Sequence, residues 1–334
     1  MVPNISRLTA FEQLPKIDVK NQKILQALAR DGRISGADLA RQLRLSRDAV
    51  SYRINKLAEE GVLLAVVPII DLQKFNQTVF HAFFLLDEKA HSRHTSFTDC
   101  LISHKNTVSV MQYTDTWDLE WVFVAPDLLS CDSLLQQVTN QYADVLLEKE
   151  VLAEVRKYIH RQLPGQEHAQ KTAKAPGSVL LDKKDLALLQ ELGHEARQSS
   201  YALAKKLRVS PDTVLYRTRK LMDRGIIKGF TGVYSLAKLG YAWYTYAIRF
   251  DRFTSSDEAR FAECVQQNPN ILCAAKVFGK WDVLLTLVAE NPQQYHALVK
   301  KIKNAFAETI VSYQTWLANE EIVYFPVPRV LIEQ

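Results

Sequence analysis

The chain repeats itself at a constant offset of 164 residues, and this repeat constrains the fold more than any other feature of the sequence. The repeated residues include Asp18 and Asp182, Arg33 and Arg197, Ser46 and Ser210, Tyr52 and Tyr216, and Trp117 and Trp281. A solenoid repeat spans only roughly 20 to 50 residues. The longer period predicts two complete modules that each fold as a unit. Two copies of one module also indicate a binding target with two-fold symmetry.

The composition is typical of a folded protein without a membrane span. The 334 residues are 47% hydrophobic and 24% charged, which is enough apolar material for several cores. No stretch approaches the roughly 18 apolar residues that cross a bilayer, and the first residues lack the apolar centre of a signal peptide. These features predict a cytoplasmic protein with no membrane partner. The net charge of +5 permits a polyanionic partner without requiring one.

The beginning of each module is typical of three short helices. In the first module Asp18, Ser35 and Ser46 stand where N-caps are expected, because their side chains can accept a hydrogen bond from a free backbone N–H. Gly61 stands where the third helix should end. The second module repeats these signals at Asp182, Ser199, Ser210 and Gly225. Two short helices joined by a tight turn to a third predict a helix-turn-helix in each module.

The remainder of each module alternates between the periods of strands and helices. We predict the order βαββαβ twice, which is a ferredoxin-like arrangement. The fold class is therefore α+β, with two repeats of a helix-turn-helix followed by a ferredoxin-like domain. In the first module the strands are expected at 79–86, 107–114, 119–124 and 146–151, with helices at 92–104 and 128–142. In the second they are expected at 241–250, 271–278, 282–288 and 310–316, with helices at 255–267 and 292–306.

These patterns divide the chain into four domains and one linker. Residues 163–179 contain two prolines and two glycines without periodicity, which is typical of a linker. The predicted domains are a helix-turn-helix at 16–62, an effector and oligomerisation domain at 63–162, a second helix-turn-helix at 180–226 and a second effector domain at 227–330.

Two segments resemble the DNA-binding region of one family. Residues 31–62 read DGRISGADLARQLRLSRDAVSYRINKLAEEGV, and residues 195–227 read EARQSSYALAKKLRVSPDTVLYRTRKLMDRGII. Both resemble the Lrp/AsnC family of feast/famine regulators, as does the βαββαβ domain with its Gly-x-aromatic-Asp turn at Gly279. The resemblance implies a DNA-binding transcriptional regulator that responds to an amino acid or a related small molecule. Family members ordinarily carry one module and dimerise, so two modules imply a built-in pseudo-dimer able to form homo-oligomers.

The third helix of each helix-turn-helix is expected to enter the major groove of duplex DNA. Val50, Ile54 and Leu57 have the spacing of a buried face. The residues that we expect to face DNA are Arg47, Ser51, Tyr52, Arg53, Asn55 and Lys56 in the first copy, and Tyr216, Arg217, Arg219 and Lys220 in the second. The two faces differ, so we expect different half-sites.

Two points about this face stay open at the level of sequence. Arg53, Arg217, Lys56 and Lys220 lie where long cationic side chains could reach phosphates, but a solvated helix face would look similar. The tyrosines at 52 and 216 could pack on the second helix instead of touching DNA.

The resemblance places an effector cleft beside the Gly-x-Trp-Asp turn of the second module. It implies that Gly279, Lys280, Trp281 and Asp282 contact an amino acid, whose ammonium group a carboxylate would hold. The alternative is structural: the aspartate fixes the hairpin and the tryptophan belongs to the core. The first module has Asp115 in place of the glycine, so an effector site there is less expected.

Two other functions remain as alternatives. Sirohaem decarboxylases also pair two such modules, and their active sites use histidines and basic residues around a tetrapyrrole. The histidines of the first effector domain do not match that family's motifs, and nothing resembles a catalytic triad, a phosphate loop or a metal cluster. We therefore expect no catalytic activity, metal or cofactor. The histidines compared with that family are His81, His91, His94, His104 and His296.

The second alternative is an oligomerising protein that has lost DNA binding.

Overall fold

We describe the protein from a computed structural model, in which residues 14–166 and 181–333 are described. Most of the predicted linker, residues 167–179, lies outside the described residues. The modules on either side of it have the same order of helices and strands, as the repeat predicts. No helix within the described ranges is long and apolar enough to cross a membrane.

The first module begins with three helices and continues with strands and two further helices. The helix-turn-helix consists of α1 (Val19–Arg30), α2 (Gly36–Leu43) and α3 (Arg47–Glu59). The strand β1 (Leu63–Ile70) follows it. The effector domain consists of β2 (Thr78–Leu86), α4 (His91–Ser103), β3 (Thr107–Tyr113), β4 (Leu119–Ala125), α5 (Leu128–Gln141) and β5 (Leu146–His160). The predicted βαββαβ order is confirmed.

The second module has equivalent elements in the same order. Its helix-turn-helix consists of α6 (Lys183–His194), α7 (Ser200–Leu207) and α8 (Pro211–Asp223), followed by β6 (Ile227–Tyr234). Its effector domain consists of β7 (Ala242–Phe250), α9 (Ser255–Gln267), β8 (Ile271–Phe278), β9 (Val283–Ala289), α10 (Pro292–Ala305) and β10 (Ile310–Tyr324).

Side-chain caps set where the helices of both helix-turn-helix domains begin. The Ser46 Oγ accepts a hydrogen bond from the Ala49 N–H at 3.1 Å, and the Ser210 Oγ accepts one from the Thr213 N–H at the same distance. The predicted caps Asp18, Ser35, Asp182 and Ser199 also accept a hydrogen bond from the backbone three residues on. Each cap satisfies an N–H that the helix leaves free, so the boundaries follow from local sequence.

The strands β1 and β6 form a two-stranded antiparallel sheet of their own. Its register places Val66 opposite Gly232 and Pro68 opposite Phe230. The sheet packs against helices of both helix-turn-helix domains in one shared core. The predicted boundary after residue 62 assigned β1 to the effector domain. In the structure β1 contributes Leu63 and Val66 to the core of the DNA-binding domains, while Ala65 and Val67 pack in a small cluster with Tyr324 of β10. The domain boundary itself stays a prediction.

Equivalent hydrogen bonds join the two helix-turn-helix domains on both sides of a pseudo-two-fold axis. The Gly32 N–H donates to the Phe230 carbonyl at 2.8 Å, and the Ala196 N–H donates to the Val66 carbonyl at 2.7 Å. A Cβ on Gly32 would lie only 2.5 Å from the Val66 side chain, so the close approach of β1 requires glycine there. These contacts hold the two DNA-binding domains in one fixed arrangement.

The two effector domains merge into one closed sheet, with the strand order β10-β3-β4-β2-β5-β8-β9-β7. Two seams join the modules, where β5 pairs with β8 and β10 pairs with β3. The seams are equivalent: Glu154 stands opposite Val277 in one, and Ala318 stands opposite Tyr113 in the other. The pseudo-dimer expected from the repeat is therefore present within one chain.

The long strands β5 and β10 differ from the prediction. They were expected to end at residues 151 and 316, but they continue to His160 and Tyr324. Their second halves, which make the seams, mix apolar and charged residues and contain irregular pairings near Glu154 and Glu320. Such segments lack the alternating apolar pattern by which a strand is recognised in sequence.

Two arginines reinforce the seams by binding the C-terminal end of a helix in the opposite module. The Arg161 guanidinium donates to the carbonyls of Gln266 and Asn268 at the end of α9, at 2.7 and 2.8 Å. Arg329 donates to the carbonyl of Ile102 at the end of α4, at 3.2 Å. A cation at this position is favourable because the last carbonyls of a helix have no partner within the helix.

Candidate nucleic-acid interface and effector domains

The third helices α3 and α8 bury the same face in both modules. Val50 and Leu57 are fully buried in the first, and the equivalent Val214 and Leu221 are buried in the second. Ile54 packs against the same core while partly exposed. The predicted inward face is confirmed, so the opposite side of each helix is available for contact with another molecule.

Most of the residues predicted to face DNA are exposed. Tyr52 and Tyr216 are 66% and 68% exposed, so both rings project into solvent and neither packs on the second helix. The other exposed residues of the predicted set are Arg47, Ser51, Asn55, Lys56 and Arg219. Lys220 is half-buried, with its Nζ 3.4 Å from an Asp185 carboxylate oxygen.

Arg53 and Arg217 do not lie with this exposed set. The Arg53 guanidinium donates to Oδ2 of Asp18, the N-cap of α1, at 2.7 Å and to Oδ1 of Asn21, in the first turn of α1, at 2.8 Å. Arg217 makes the equivalent contact with Asp182 Oδ2, at 2.7 Å. These positions lie on the flank of the third helix that faces the first helix, so each guanidinium meets the capping carboxylate of the same domain. In the structure each guanidinium therefore has an ion pair within its own domain, and a contact of Arg53 or Arg217 with phosphate stays a prediction.

These ion pairs also affect the capping carboxylates. The Arg217 guanidinium lowers the pKa of Asp182 from its usual value. The pKa of Asp18 is lowered first by the hydrogen bond from the Asn21 backbone and then by Arg53. Each aspartate therefore stays ionised, which strengthens both the helix cap and the tie between the first and third helices.

The glycine of the Gly-x-Trp-Asp turn is required by the pairing of the modules. Gly279 has φ +141°, a conformation that other residues rarely adopt. A Cβ there would lie 2.4 Å from the Leu152 side chain and 2.9 Å from the Val151 carbonyl oxygen, both in β5 of the opposite module. The first module has Asp115 at this position, and its Oδ2 accepts a hydrogen bond from the Leu317 N–H of β10 at 2.9 Å.

The rest of this turn also contributes to the interface between modules. Trp281 is only 5% exposed and packs in a core formed by both effector domains. The Lys280 Nζ lies 3.2 Å from Glu150 Oε2 in the opposite module. The Asp282 Oδ2 accepts a hydrogen bond from the Phe250 N–H at 2.8 Å, and the equivalent carboxylate in the first module, that of Asp118, makes the same kind of bond. These contacts fit the structural alternative, while an effector role for the four residues stays a prediction.

Comparison with known proteins shows what kind of protein carries these features. A family model for a winged helix-turn-helix DNA-binding domain matches residues 17–63 and 181–228. The model of the Lrp/AsnC ligand binding domain matches residues 246–327. An uncharacterized HTH-type transcriptional regulator of Pyrococcus furiosus is 35% identical over 149 residues, which are 43% of this chain and 98% of that protein. The chain belongs to the Lrp/AsnC family.

Other relatives of this Lrp/AsnC protein agree with that assignment. The transcriptional regulator AzlB of Bacillus subtilis is 30% identical over 122 residues, which cover 36% of this chain and 78% of the relative. The HTH-type regulator LrpC of the same organism is 30% identical over 130 residues, which cover 39% of the chain and 88% of the relative. Each of these relatives matches about the length of one module, so the Lrp/AsnC protein described here corresponds to two of them joined in tandem.

One solved structure resembles the Lrp/AsnC protein over both modules. The siroheme decarboxylase NirDL covers 94% of this chain and 97% of its own, with a TM-score of 0.60 and 14% sequence identity. At this identity the likeness shows a common fold only. Because a shared fold does not determine function, function has to be argued from the residues of each site.

A cluster of buried polar residues in the closed sheet of the Lrp/AsnC protein was not predicted from the sequence. His81 Nδ1 lies 2.6 Å from Glu120 Oε1, and its Nε2 lies 3.9 Å from Glu154 Oε2. The Tyr113 hydroxyl donates to the other oxygen of Glu120 at 2.5 Å and lies 2.8 Å from the Thr245 hydroxyl of the second module. We name these five residues the buried polar cluster. Within the described part of the chain, no three histidine, cysteine or acidic side chains are arranged to hold a metal ion.

The histidine, the two glutamates and the tyrosine of the cluster all belong to the first module, and only Thr245, the equivalent of His81, comes from the second. The positions that match Glu120, Glu154 and Tyr113 in the second module are the apolar residues Leu284, Ala318 and Val277. A comparison of the two copies at equivalent strand positions could have revealed this difference, because a buried strand rarely exchanges an aliphatic side chain for a carboxylate. Without the seams, however, nothing indicated that these residues share one interior.

Proposed function

We propose that this Lrp/AsnC protein is a transcriptional regulator that binds one duplex DNA site with both of its recognition helices. The observation that carries the proposal is the arrangement of α3 and α8: both expose the same side of the helix, and the sheet of β1 and β6 fixes their relative position. A protein with two recognition helices related by a two-fold axis suits DNA with two half-sites.

The charge around these helices supports the same proposal. Exposed cations surround both third helices, and an array of this kind neutralises phosphates and releases counterions when DNA binds. The exposed cations in and before the third helices are Arg41, Arg44, Arg47, Lys56, Lys205, Lys206, Arg208 and Arg219. We therefore propose duplex DNA as the principal partner and expect its affinity to fall steeply as salt concentration rises.

Two observations favour a DNA-binding regulator over the two alternatives: the first argues against a protein that has lost DNA binding, and the second argues against an enzyme. Both recognition faces retain exposed polar and cationic residues, which a protein that had lost DNA binding would have no need to keep. The space between the effector domains is occupied by an aromatic core that includes Trp117, Trp281 and Trp316. A packed core of this kind is typical of an interface between domains, and it leaves little space for a cleft that binds a large planar substrate.

The DNA-binding proposal predicts the result of removing two exposed cations. A chain with Arg41→Ala and Lys205→Ala, the equivalent exposed cations of the second helices, should bind duplex DNA at least about tenfold more weakly than the unchanged chain, because each lost charge removes a contact with phosphate. The slope of log affinity against log salt should become shallower by about one to two units. Fluorescence anisotropy with a labelled duplex at several salt concentrations measures both quantities.

A matched control separates this effect from a change in net charge. Lys149→Ala with Lys300→Ala also removes two exposed cations, but from the effector domains. We expect this control to bind DNA with nearly the affinity of the unchanged chain. Equal weakening in the two double variants would contradict the assignment of the DNA-binding face.

We propose further that the closed sheet binds an amino acid or a related small molecule beside Gly279, Lys280, Trp281 and Asp282, and that pseudo-dimers assemble into larger homo-oligomers. The match of the ligand binding domain model to residues 246–327 supports this site. An effector changes DNA affinity only if it binds one assembly better than another, and a coupling of about 1–3 kcal/mol corresponds to roughly 5- to 150-fold in affinity.

A pair of equivalent substitutions tests the effector site. Asp282→Asn removes the charge proposed to hold an ammonium group but keeps an oxygen for the Phe250 N–H, and Asp118→Asn makes the same change in the first module. We expect Asp282→Asn to abolish calorimetric binding of the effector amino acid and Asp118→Asn to retain it. The reverse pattern in titrations against a panel of amino acids would place the site in the first module.

A further inference from the structure

The two recognition helices are alike in their scaffold and differ along one exposed stripe. Several residues shared by α3 and α8 hold the helix in its domain: Val50 and Val214, Arg53 and Arg217, and Leu57 and Leu221. The exposed tyrosines Tyr52 and Tyr216 are also shared. The stripe consists of Arg47, Ser51 and Asn55 in the first module and of Pro211, Leu215 and Arg219 in the second. All three pairs of equivalent positions carry different residues.

The spacing of these residues explains why they act together. Positions four apart in a helix lie on one face, so 47, 51 and 55 form a single line along α3, as 211, 215 and 219 do along α8. All of them are exposed except Pro211, which is half-buried. The two helices therefore differ along a line of residues that is free to contact another molecule.

The chemistry of the two stripes favours different base pairs. The first stripe carries hydrogen-bonding side chains only. Among these, an arginine pairs best with guanine and an asparagine with adenine. The second stripe has one such group, Arg219, and presents Leu215, which is 50% exposed. An exposed leucine has no hydrogen bond to offer in the major groove, but it makes an apolar contact with the 5-methyl group of thymine.

The fusion of the modules makes this difference permanent. In a dimer of identical chains both recognition helices have the same stripe, so the preferred site is a palindrome. Here α3 and α8 belong to one chain and are joined through the sheet of β1 and β6. Every molecule therefore presents one helix of each kind, in the same relative orientation.

We propose that this regulator recognises an asymmetric operator made of two unlike half-sites, and that it binds this operator in one orientation. The half-site under α3 is read through hydrogen bonds from Arg47, Ser51 and Asn55. The half-site under α8 contains a thymine whose methyl group packs against Leu215. This inference rests on the proposed function, because it concerns the DNA that the same two helices contact.

The first test is selection of duplexes from a randomised pool by the full chain, followed by binding measurements. We expect a motif that is not palindromic. Palindromes built from either half-site should bind at least about tenfold more weakly than the composite site, since even one mismatched base pair typically costs about that much. A palindromic motif, or equal affinity for the three sites, would overturn the asymmetry alone. Failure to enrich any duplex would count against the proposed function itself.

The second test changes the stripe without changing the fold. The triple variant Pro211→Arg, Leu215→Ser, Arg219→Asn gives α8 the stripe of α3, and its positions lie outside the buried core. We expect this variant to prefer the palindrome of the first half-site, reversing the order of affinities for the palindrome and the composite site. If the variant keeps the preference of the unchanged chain, the stripe does not determine specificity and the proposal fails.

The thymine contact has its own control in the DNA. Replacing thymine with deoxyuridine, one position at a time in the second half-site, removes only the methyl group. We expect one position at which this weakens binding by the unchanged chain several-fold and has little effect on Leu215→Ala. Equal effects on both proteins would show that Leu215 does not contact the methyl group.

Discussion

Replacing His81 with leucine is expected to lower the free energy of unfolding by about 3–5 kcal/mol, the range found when one partner of a buried ion pair is removed. In the buried polar cluster His81 stands between the carboxylates of Glu120 and Glu154. Without the imidazolium, two buried carboxylates would remain close together with less compensating charge. Urea unfolding followed by far-UV circular dichroism at pH 6 measures the difference.

The effect of this substitution should depend on pH. Burial lowers the pKa of His81, but its hydrogen bonds and charge interactions with Glu120 and Glu154 outweigh burial and raise the pKa from 6.5 to about 9. A raised pKa contributes stability that is fully present below about pH 6.5 and is lost as the pH rises through 9. The free-energy gap between the unchanged chain and His81→Leu should therefore be widest near pH 6 and shrink by pH 9.

The acidic side of the cluster sets the lower limit of this window. Burial raises the pKa of Glu154, but Lys157 and then His81 outweigh that effect and lower it from 4.5 to about 2. Stability from this group is present above about pH 4.5 and is lost as the pH falls toward 2. The cluster should therefore stabilise the fold most between about pH 4.5 and 6.5.

The equivalent position in the second module provides the control. Thr245→Val removes one hydroxyl from the same interior and leaves the Tyr113 hydroxyl bonded to Glu120. We expect a loss of only about 1 kcal/mol, with little dependence on pH. A gap for His81→Leu that is no larger than this, or that does not change between pH 6 and 9, would show that the imidazolium does not stabilise the closed sheet.

Replacing Trp316 with alanine is the second substitution for which we expect a large effect, a loss of about 3–5 kcal/mol. Trp316 is fully buried in the core between the effector domains, with ring centroids 4.8 Å from Phe83 and 6.3 Å from Trp281. Because these partners come from both modules, the cavity would weaken the seams as well as the second domain. Thermal unfolding should occur at a lower temperature.

The neighbouring residue on β10 serves as the control for this cavity. Leu317 is partly exposed on the other side of the strand, so Leu317→Ala should cost less than about 1 kcal/mol. Equal losses of unfolding free energy in Trp316→Ala and Leu317→Ala would show that the packing of Trp316 between the modules contributes little to stability.

The sequence predicted those parts of the fold that depend on local chemistry. The caps Ser46 and Ser210 define the recognition helices because a side-chain oxygen and a free N–H lie three residues apart. The buried positions of Val50 and Leu57 follow from helical spacing in the same way. The βαββαβ order was predicted for the same reason, since each element is amphipathic with a single period.

The parts that could not be predicted depend on contacts between distant residues. The pairing of β5 with β8 involves the polar segment around Glu154, which has no strand pattern of its own. The ion pair between Arg53 and Asp18 spans 35 residues, so spacing within α3 alone suggested an exposed cation. In the same way, the requirement for Gly279 became visible only when Leu152 of the opposite module was placed against it.

The buried polar cluster shows what covalent fusion permits in evolution. In a homodimer every mutation near the axis enters twice, so a histidine with two glutamates would become two histidines with four glutamates in the same interior. In the fused chain a mutation is present once, and Leu284 and Ala318 occupy the positions of the second module that are equivalent to Glu120 and Glu154. After fusion, the two modules no longer need identical residues at their interface. One module can therefore have buried charged residues where the other has apolar ones.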